Sequence, residues 1–96
     1  MLTGKQRSYL KALATELDTT VYIGKAELTD TVIKEMDDYL AVHEIVKVKV
    51  QEGAEITPKE AANIAAEKLG ADYVQAIGRR FVLYRPAKIK KIFLPR

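Results

Sequence analysis

Residues 44–50 read EIVKVKV, a stretch in which apolar and basic side chains alternate. Val46, Val48 and Val50 fall on one side of an extended chain, and Lys47 and Lys49 fall on the other. Because successive side chains of a β-strand point to opposite faces, this period of two predicts a strand with one buried face and one basic face. Such a strand needs a sheet beside it and a cover over its apolar face, so the flanking segments must supply both.

Three flanking segments combine helix start signals with apolar residues at helical spacing. A threonine cap opens each segment, and a Gln or Glu three residues later completes a capping box in the first and the third. The caps are Thr3, Thr29 and Thr57, and the predicted helices cover about residues 4–17, about 30–43, and from Pro58 to the stop at Gly70. Four alanines in the third helix favour close packing on a sheet.

Two further stretches predict the remaining strands. Residues 21–23 form a short β-branched run, and YVQAIGRRFVLY at 73–84 is typical of a hairpin with a type II′ turn at Gly78-Arg79. The predicted register places one group on one face (Val74, Ala76, Phe81, Leu83) and a second group on the other (Tyr73, Gln75, Ile77, Arg80, Val82, Tyr84). The order α-β-α-β-α-β-β predicts an α/β fold, a small four-stranded mixed sheet packed with helices.

Composition limits what else the chain can be. Its 96 residues fit a single domain, and the absence of cysteine excludes disulfides and cysteine-based zinc sites. No apolar run is long enough to span a bilayer and no secretory signal pattern is present, so we expect no membrane partner and a cytoplasmic location. His43 is the only histidine and is interpreted as a structural residue at a helix end. The chain is therefore predicted to be a binding module without catalytic residues, metal, cofactor or small-molecule substrate.

Charge is distributed unevenly along the chain. The net charge is +3, and all thirteen acids lie between Glu16 and Asp72. Both ends are therefore basic, and the tail at 87–96 mixes lysines with apolar residues that should dock in part. A basic surface that meets a polyanion explains this asymmetry, and so does a solvated tail that only keeps the protein soluble.

Three features are candidate binding sites. The Gly24 loop with Lys25 precedes a helix N-terminus, where anions are stabilised, although the residues alone favour a plain strand–helix connection. Arg79 and Arg80 lie at the hairpin tip, where they could reach phosphates or only add solubility. A sheet face with aromatics between cations would suit unpaired bases, unless the first helix or the tail covers it, and its predicted members are Tyr22, Lys47, Lys49, Tyr73 and Tyr84.

Several segments together resemble one protein family. They are LTGKQRSYLKALA (2–14), VYIGKAELTD (21–30), HEIVKVKV (43–50), AANIAAEKLGADYVQAIGRRFVLYRP (61–86) and KIFLPR (91–96). In this order and spacing they are similar to the CRM domain family, and in particular to its YhbY-like bacterial members. HEIVKVKV and QAIGRRFVLYRP are the most specific parts of the match.

The resemblance implies a fold similar to the C-terminal domain of translation initiation factor three, and an RNA-binding function. Stand-alone members are associated with precursors of the large ribosomal subunit, and members carry a GxxG loop proposed to meet the RNA backbone. Gly24, Lys25 and Ala26 match the first three positions of that loop, whereas Glu27 replaces the second glycine. If position 27 needs a positive φ, glutamate costs roughly 1 kcal/mol there, and its charge repels phosphate unless the side chain turns away or meets the second helix.

We therefore expect a monomeric RNA-binding protein that meets ribosomal RNA of large-subunit precursors mainly through phosphates. The expected contact residues are Lys5, Arg7 and Lys11 on the first helix, Gly24, Lys25 and Ala26 in the loop, Arg79 and Arg80 at the hairpin tip, and Lys88, Lys90 and Lys91 in the tail. The alternative is a protein-interaction module that docks on a ribosomal protein or an assembly factor through residues 89–94, if these prove exposed.

Overall fold

The computed structural model describes residues 2–95, and within them three helices alternate with four strands. The elements are α1 (Gly4–Thr15), β1 (Val21–Ile23), α2 (Asp30–His43), β2 (Ile45–Val50), α3 (Pro58–Leu69), β3 (Asp72–Ile77) and β4 (Arg80–Tyr84). The predicted element order is confirmed, although α1 ends at Thr15 rather than near residue 17. Met1 and Arg96, the latter part of the predicted basic tail, lie outside the described residues.

The sheet is mixed, and its strands follow the order β1-β2-β4-β3. β1 runs parallel to β2, as a crossover through α2 allows, whereas β4 is antiparallel to both β2 and β3. In register, Tyr22 lies beside Lys49, Lys49 beside Arg80, and Arg80 beside Ile77. β2, which the alternating valines and lysines predicted, is therefore an inner strand with a neighbour on each side.

The predicted caps fix the starts of all three helices. Thr3 and Gln6 form a capping box, in which each backbone N–H donates to the other residue's side-chain oxygen at 3.1 Å. Thr57 and Glu60 repeat this arrangement, and the Thr57 N–H holds the pKa of the Glu60 carboxyl below its ordinary value. Thr29 accepts the Val32 N–H and so begins α2. The threonines therefore satisfy amide groups that the first helical turns would leave without partners.

One face of the sheet packs on α2 and α3. Val46, Val48 and Val50 are fully buried there, as their period-two spacing predicted. The helices contribute Met36 and Leu40 from α2, and Ala61, Ala62 and Ala65 from α3. Because alanine side chains are small, the α3 backbone can lie close to the strands, which confirms the expected close packing.

The other face of the sheet is covered by α1 and by the C-terminal segment. Leu10 and Ala14 of α1 pack with Ile45, Val82 and the other buried members of this second cluster, which are Leu2, Val74 and Tyr84. Ile92 and Leu94 of the tail pack against the same cluster, whereas Ile89 and Phe93 remain exposed. The expectation that the tail docks in part is confirmed.

The hairpin register differs from the prediction at one point. Tyr73 pairs with Leu83 and Gln75 pairs with Val82, so Val74 is an extra residue between two pairs. Such a bulge exchanges the faces of the residues beyond it. Tyr73 therefore packs on the α2–α3 side and Val74 packs on the α1 side, so the predicted faces are wrong for these two residues.

Candidate nucleic-acid interface

The loop after β1 is a tight turn. The Glu27 N–H donates to the Gly24 carbonyl oxygen at 2.9 Å, and the Thr29 N–H then donates to the Glu27 carbonyl oxygen at 3.0 Å. Glu27 has a φ of +61°, a conformation that glycine adopts with less strain than other residues. The turn leaves the side chains of Lys25 and Ala26 exposed at its tip.

The Glu27 side chain turns away from this tip. Its Oε2 accepts the Ile56 N–H at 3.2 Å, at the residue before the α3 cap. The N-terminus of α2 carries its own acceptors, because Thr29 caps it and Asp30 lies in its first turn. Of the two orientations expected for this side chain, the structure therefore has the one that turns away from the loop. The Glu27 carboxylate binds the segment before α3 and not the N-terminus of α2.

The hairpin tip lies at the same end of the sheet as this loop. Gly78 has a φ of +60° whereas Arg79 has no positive φ, which agrees with the predicted type II′ turn. Arg79 folds back over the end of β2, where its Nε donates to the Val50 carbonyl oxygen and its Nη2 to the Gln51 carbonyl oxygen, both at 2.9 Å. Part of the Arg79 guanidinium is therefore committed to the protein.

Arg80 points to the opposite side of the hairpin from Arg79. Its Nε donates to the Thr19 hydroxyl at 3.1 Å, on the face that α1 covers. This bond anchors one edge of the guanidinium beside Lys49, which is its neighbour in β2. The two arginines diverge, as expected for adjacent residues at a turn.

A short loop after β2 joins the Gly24 loop to the hairpin tip. The Gln51 N–H donates to the Ile23 carbonyl oxygen at 2.8 Å, and Gly53 lies against the Lys25 side chain. Gly53 has a φ of +98°, a conformation that favours glycine, and a Cβ there would lie 3.4 Å from the Lys25 Cε. We call this end of the sheet the loop end, comprising residues 24–27, 51–53 and 78–80.

The predicted aromatic and basic sheet face exists only in part. Tyr73 lies on the other face because of the bulge, and Tyr84 is 3% exposed under α1 and the tail. The Lys47 Nζ donates to the carbonyl oxygens of Ala14 and Leu17 at 3.0 and 3.2 Å, so this lysine closes the C-terminal end of α1. Lys47 is therefore engaged by the cover of this face, as the alternative expected, whereas Tyr22 and Lys49 remain accessible.

The three predicted cations of α1 lie on two flanks of the helix. The Arg7 Nε donates to the Tyr73 carbonyl oxygen at 3.3 Å, so this flank borders β3. Lys11 follows Arg7 by four residues and shares its flank, whereas Lys5 is rotated by about 160° from Arg7 at 100° per residue. The structure therefore brings Arg7 and Lys11 towards the hairpin, and turns Lys5 away from it.

The tail lysines lie at the other end of the sheet. Lys88, Lys90 and Lys91 are exposed and follow the C-terminal end of β4, which pairs with the start of β2. A six-residue strand spans about 17 Å, so the tail does not share a compact site with the loop end.

Glu44 holds this tail in place, a role that the sequence did not reveal. It is fully buried at the end of α2, and its carboxylate accepts the N–H groups of Ala87, Lys91 and Ile92. Burial raises the pKa of this carboxyl, but the three N–H donors and the charge of Lys90 outweigh it, so the pKa lies below its ordinary value. A buried carboxylate with three donors is stable as the anion.

Few acids neutralise the cations of these surfaces. Two ion pairs, Lys34 with Asp38 and Arg85 with Asp37, are found among residues 2–95. None of the cations predicted to contact RNA takes part in either pair. In the same part of the chain, no His, Asp or Glu cluster could hold a metal ion. A search of these residues also finds no helix with the length and apolar character that a bilayer span requires.

An apolar groove lies beside the tail. Val42 of α2, Pro86 and Ile89 line it, and its volume is about 500 Å³. Arg85, Lys88 and Lys91 also border this groove. The exposed Ile89 and Phe93 are the part of the predicted protein-docking segment that the fold leaves uncovered.

Comparison with known proteins places this arrangement in context. The family model described as the CRS1/YhbY (CRM) domain matches residues 2–85. A Haemophilus influenzae protein named "RNA-binding protein" is 40% identical over 95 residues, which cover 99% of this chain and 96% of that protein. The probable RNA-binding protein YqeI of Bacillus subtilis is 34% identical over 96 residues, which cover 99% of this chain and all of YqeI.

A solved structure is similar over nearly the whole chain. It is the solution structure of SAV1595 from Staphylococcus aureus, a hypothetical protein described as a candidate for RNA binding. The two share 41% sequence identity and superpose with a TM-score of 0.84, over 99% of this chain and all of SAV1595. The sequence matches and the structural match therefore cover the same helices and strands of this chain.

Proposed function

Because the chain belongs to the CRS1/YhbY (CRM) domain family, we propose that it is an RNA-binding protein of ribosome assembly. Its RNA is ribosomal RNA in precursors of the large subunit, which it binds in the cytoplasm as a monomer and without catalysis. The names of its relatives support the RNA part of this proposal, since two of them are described as RNA-binding proteins.

The observation that carries the proposal is a group of cations at the loop end and beside it in β2, none of which forms an ion pair with the acids of that end, Glu27 and Glu52. Lys25, Arg80 and Lys49 come from three different segments, and none is in an ion pair among the described residues. Since RNA presents a regular row of phosphates, binding it chiefly requires such cations on a rigid support. The sheet supplies this support, because Arg80 and Lys49 are neighbours in register.

The Gly24 loop supplies a contact to the RNA backbone. Gly24, Lys25 and Ala26 form the tip of the turn, and the Glu27 carboxylate is held by the Ile56 N–H instead of facing the tip. A phosphate can therefore approach Lys25 and the backbone beside Ala26 without meeting that carboxylate directly. Arg79 contributes through the part of its guanidinium that does not bind β2.

The flank of α1 that faces the hairpin extends this surface. Arg7 and Lys11 continue it along the helix, whereas Lys5 contributes from the opposite flank. The tail lysines 88, 90 and 91 would meet a separate stretch of the same RNA, because the length of the sheet separates them from the loop end.

Affinity measurements at several salt concentrations test the proposal. We expect the affinity for a fragment of large-subunit rRNA to fall linearly with salt on logarithmic axes, because each neutralised phosphate releases counterions. Lys25→Ala should weaken binding and lower that slope by about one.

Glu27→Gly should tighten binding modestly, since it removes a negative charge near the phosphates. If the RNA affinity were the same at low and at physiological salt, binding mainly through phosphates would be contradicted.

A protein partner is the second candidate, and the exposed Ile89 and Phe93 favour it. In that case the chain would dock on a ribosomal protein or an assembly factor through the apolar groove beside α2. Crosslinking in cells separates the two functions. Crosslinks to large-subunit precursor RNA support the first proposal, whereas crosslinks to proteins alone favour the second.

A further inference from the structure

One row of side chains crosses the whole sheet at the loop end, and each of its members is fully or partly exposed. Tyr22, Lys49, Arg80 and Ile77 are successive neighbours in register across β1, β2, β4 and β3. All four point to the face that α1 covers elsewhere, because the residues that alternate with them are buried under α2 and α3. We call these four residues the exposed row.

The exposed row is open because α1 and the segment after it stop short of it. α1 ends at Thr15, and the chain then runs to Thr20, whose N–H donates to the Lys47 carbonyl oxygen. This path covers the next row of the sheet, whose members include Lys47 and Val82. Tyr22 is thus 50% exposed and Ile77 is 68% exposed.

The chemistry of the exposed row is that of a surface for nucleotides. A tyrosine ring lies at one end, an aliphatic side chain at the other, and two cations lie between them with no acid in the row. Strands lie about 4.8 Å apart, so the row spans about 14 Å. The Arg80 guanidinium is already oriented by the Thr19 hydroxyl, which lowers the conformational entropy lost when it binds a phosphate.

A shallow groove adjoins the exposed row along α1. Thr15 and Gln75 line it together with Ile77 and Arg80, and its volume is about 200 Å³. The Gln75 side chain is only partly buried, so its amide can donate to and accept from a base edge. Aromatic stacking together with polar contacts to base edges is how proteins recognise unpaired RNA.

We propose that the exposed row binds unpaired RNA, with a base stacked on Tyr22 and the adjoining phosphates on Lys49 and Arg80. This inference rests on the proposed RNA-binding function and adds a preference for single-stranded segments or loops over continuous duplex. A base inside a duplex has both faces occupied by its neighbours in the stack, so only an unpaired base can lie on the ring.

Two probes and a matched pair of variants test this preference. The probes are a short oligoadenylate and a fully paired RNA duplex with the same number of nucleotides. Tyr22→Ala removes the ring, and Tyr9→Ala is the control, because Tyr9 is also exposed (40%) but lies on the flank of α1 that faces away from β3. Both variants remove an exposed tyrosine. If the loss of any exposed tyrosine lowered RNA affinity, the affinity would therefore fall in both.

We expect Tyr22→Ala to weaken oligoadenylate binding by about tenfold and to leave duplex binding nearly unchanged, since stacking acts on the unpaired base alone. Tyr9→Ala should change neither affinity. Tyr22→Phe should keep the affinity, because phenylalanine also stacks. It should also lose most of the quenching of tyrosine fluorescence that oligoadenylate causes, since the stacked fluorophore is then absent.

Two kinds of failure are distinguishable. If the wild type binds RNA and Tyr22→Ala behaves like Tyr9→Ala, or loses affinity equally for both probes, the stacking inference is wrong and the RNA-binding function stands. Quenching that persists in Tyr22→Phe would overturn it by an independent route. If neither probe binds the wild type with an affinity that falls with salt, the proposed function fails and the stacking inference fails with it.

Discussion

Glu44 is the one charged side chain that is fully buried among residues 2–95, and it has a φ of +68°. Nothing in the sequence marks it, because its ligands are backbone N–H groups that have no sequence signature. It ends α2, and its carboxylate accepts three N–H groups from the tail. Its backbone carbonyl oxygen also accepts the Arg85 N–H. Glu44 therefore joins the end of a helix to a segment more than forty residues further along the chain.

We predict that Glu44→Gln destabilises the protein by about 1–3 kcal/mol, because an amide group would face backbone N–H donors and leave one without an acceptor. Urea unfolding at neutral pH measures this loss. Faster hydrogen exchange at Ala87, Lys91 and Ile92 would show that the tail has been released. Protection at these amides that matches the wild type would show that the carboxylate does not hold the tail.

Glu44 also predicts how stability depends on pH. Its pKa is lower in the folded protein than the ordinary value of 4.5, so the folded state favours the anion. This contribution to stability is complete above pH 4.5 and is lost as the pH falls through the folded-state pKa. We expect the stability difference between the wild type and Glu44→Gln to shrink between neutral and strongly acidic pH, as followed by urea unfolding. A difference that stays constant over this range would contradict the assignment.

Glu27 has the strained conformation that the family resemblance raised as a condition. It stands at the second glycine of the GxxG pattern, and its φ is +61°. The bond from the Ile56 N–H could not be predicted, because it joins two loops far apart in the sequence.

Substitutions at Glu27 separate the strain from that bond. Glu27→Ala keeps the strain and loses the bond, so it should destabilise the protein by about 1 kcal/mol. Glu27→Gly loses the same bond but relieves the strain, so it should be more stable than Glu27→Ala by about 1 kcal/mol. Thermal unfolding of the two variants beside the wild type gives the order. If alanine were as stable as glycine, position 27 would not be strained.

At the scale of elements, β2 shows what a repeating pattern can and cannot predict. Alternation of valine and lysine identified the strand, its buried face and its basic face, because the pleat imposes a period of two. The same pattern places both Lys47 and Lys49 on the basic face and does not distinguish their roles. Contacts with α1 separate their roles. The carbonyl oxygens of Ala14 in α1 and of Leu17 just after it accept hydrogen bonds from the Lys47 ammonium, whereas Lys49 lies in the exposed row.

We predict opposite effects for the two lysines. Lys47→Met should cost about 1 kcal/mol of unfolding free energy, because the C-terminal carbonyls of α1 lose a charged donor, and should leave RNA affinity nearly unchanged. Lys49→Met should weaken RNA binding, lower its salt slope by about one, and leave stability nearly unchanged. Chemical unfolding and RNA titration on both variants check this pair. Equal effects in either measurement would contradict the separation.

The bulge in β3 marks the limit of the same reasoning. Tyr73 and Val74 are both apolar, so either could face either layer, and strict alternation chose the wrong arrangement. The bulge lets both side chains be buried on opposite faces of one strand. Its effect on the candidate site is direct, because it removes Tyr73 from the predicted row of aromatic residues.

At the scale of the molecule, the fold was predictable because local signals agree with one another. Three threonine caps, the stop at Gly70 and the Gly78 turn each end or begin an element where the structure has it. The strand order and the positions of α1 and the tail depend on contacts between distant segments, which periodicity does not encode. The same holds for the candidate site. Its loop and hairpin residues stay predicted contacts, and their convergence at one end of the sheet could not be predicted from the sequence.

The two flanks of α1 offer a last test of which side of the molecule meets RNA. Lys5 and Lys11 are exposed lysines on the same helix with the same charge, but Lys11 shares the flank of Arg7 that borders β3, and Lys5 does not. If RNA lies along the loop end and the exposed row, Lys11→Ala should lower the salt slope of binding by about one, and Lys5→Ala should lower it by clearly less. Both variants keep a helix-favouring residue, so helix stability is matched. A larger effect at Lys5 would place the RNA on the opposite flank of α1, and would separate it from the hairpin arginines.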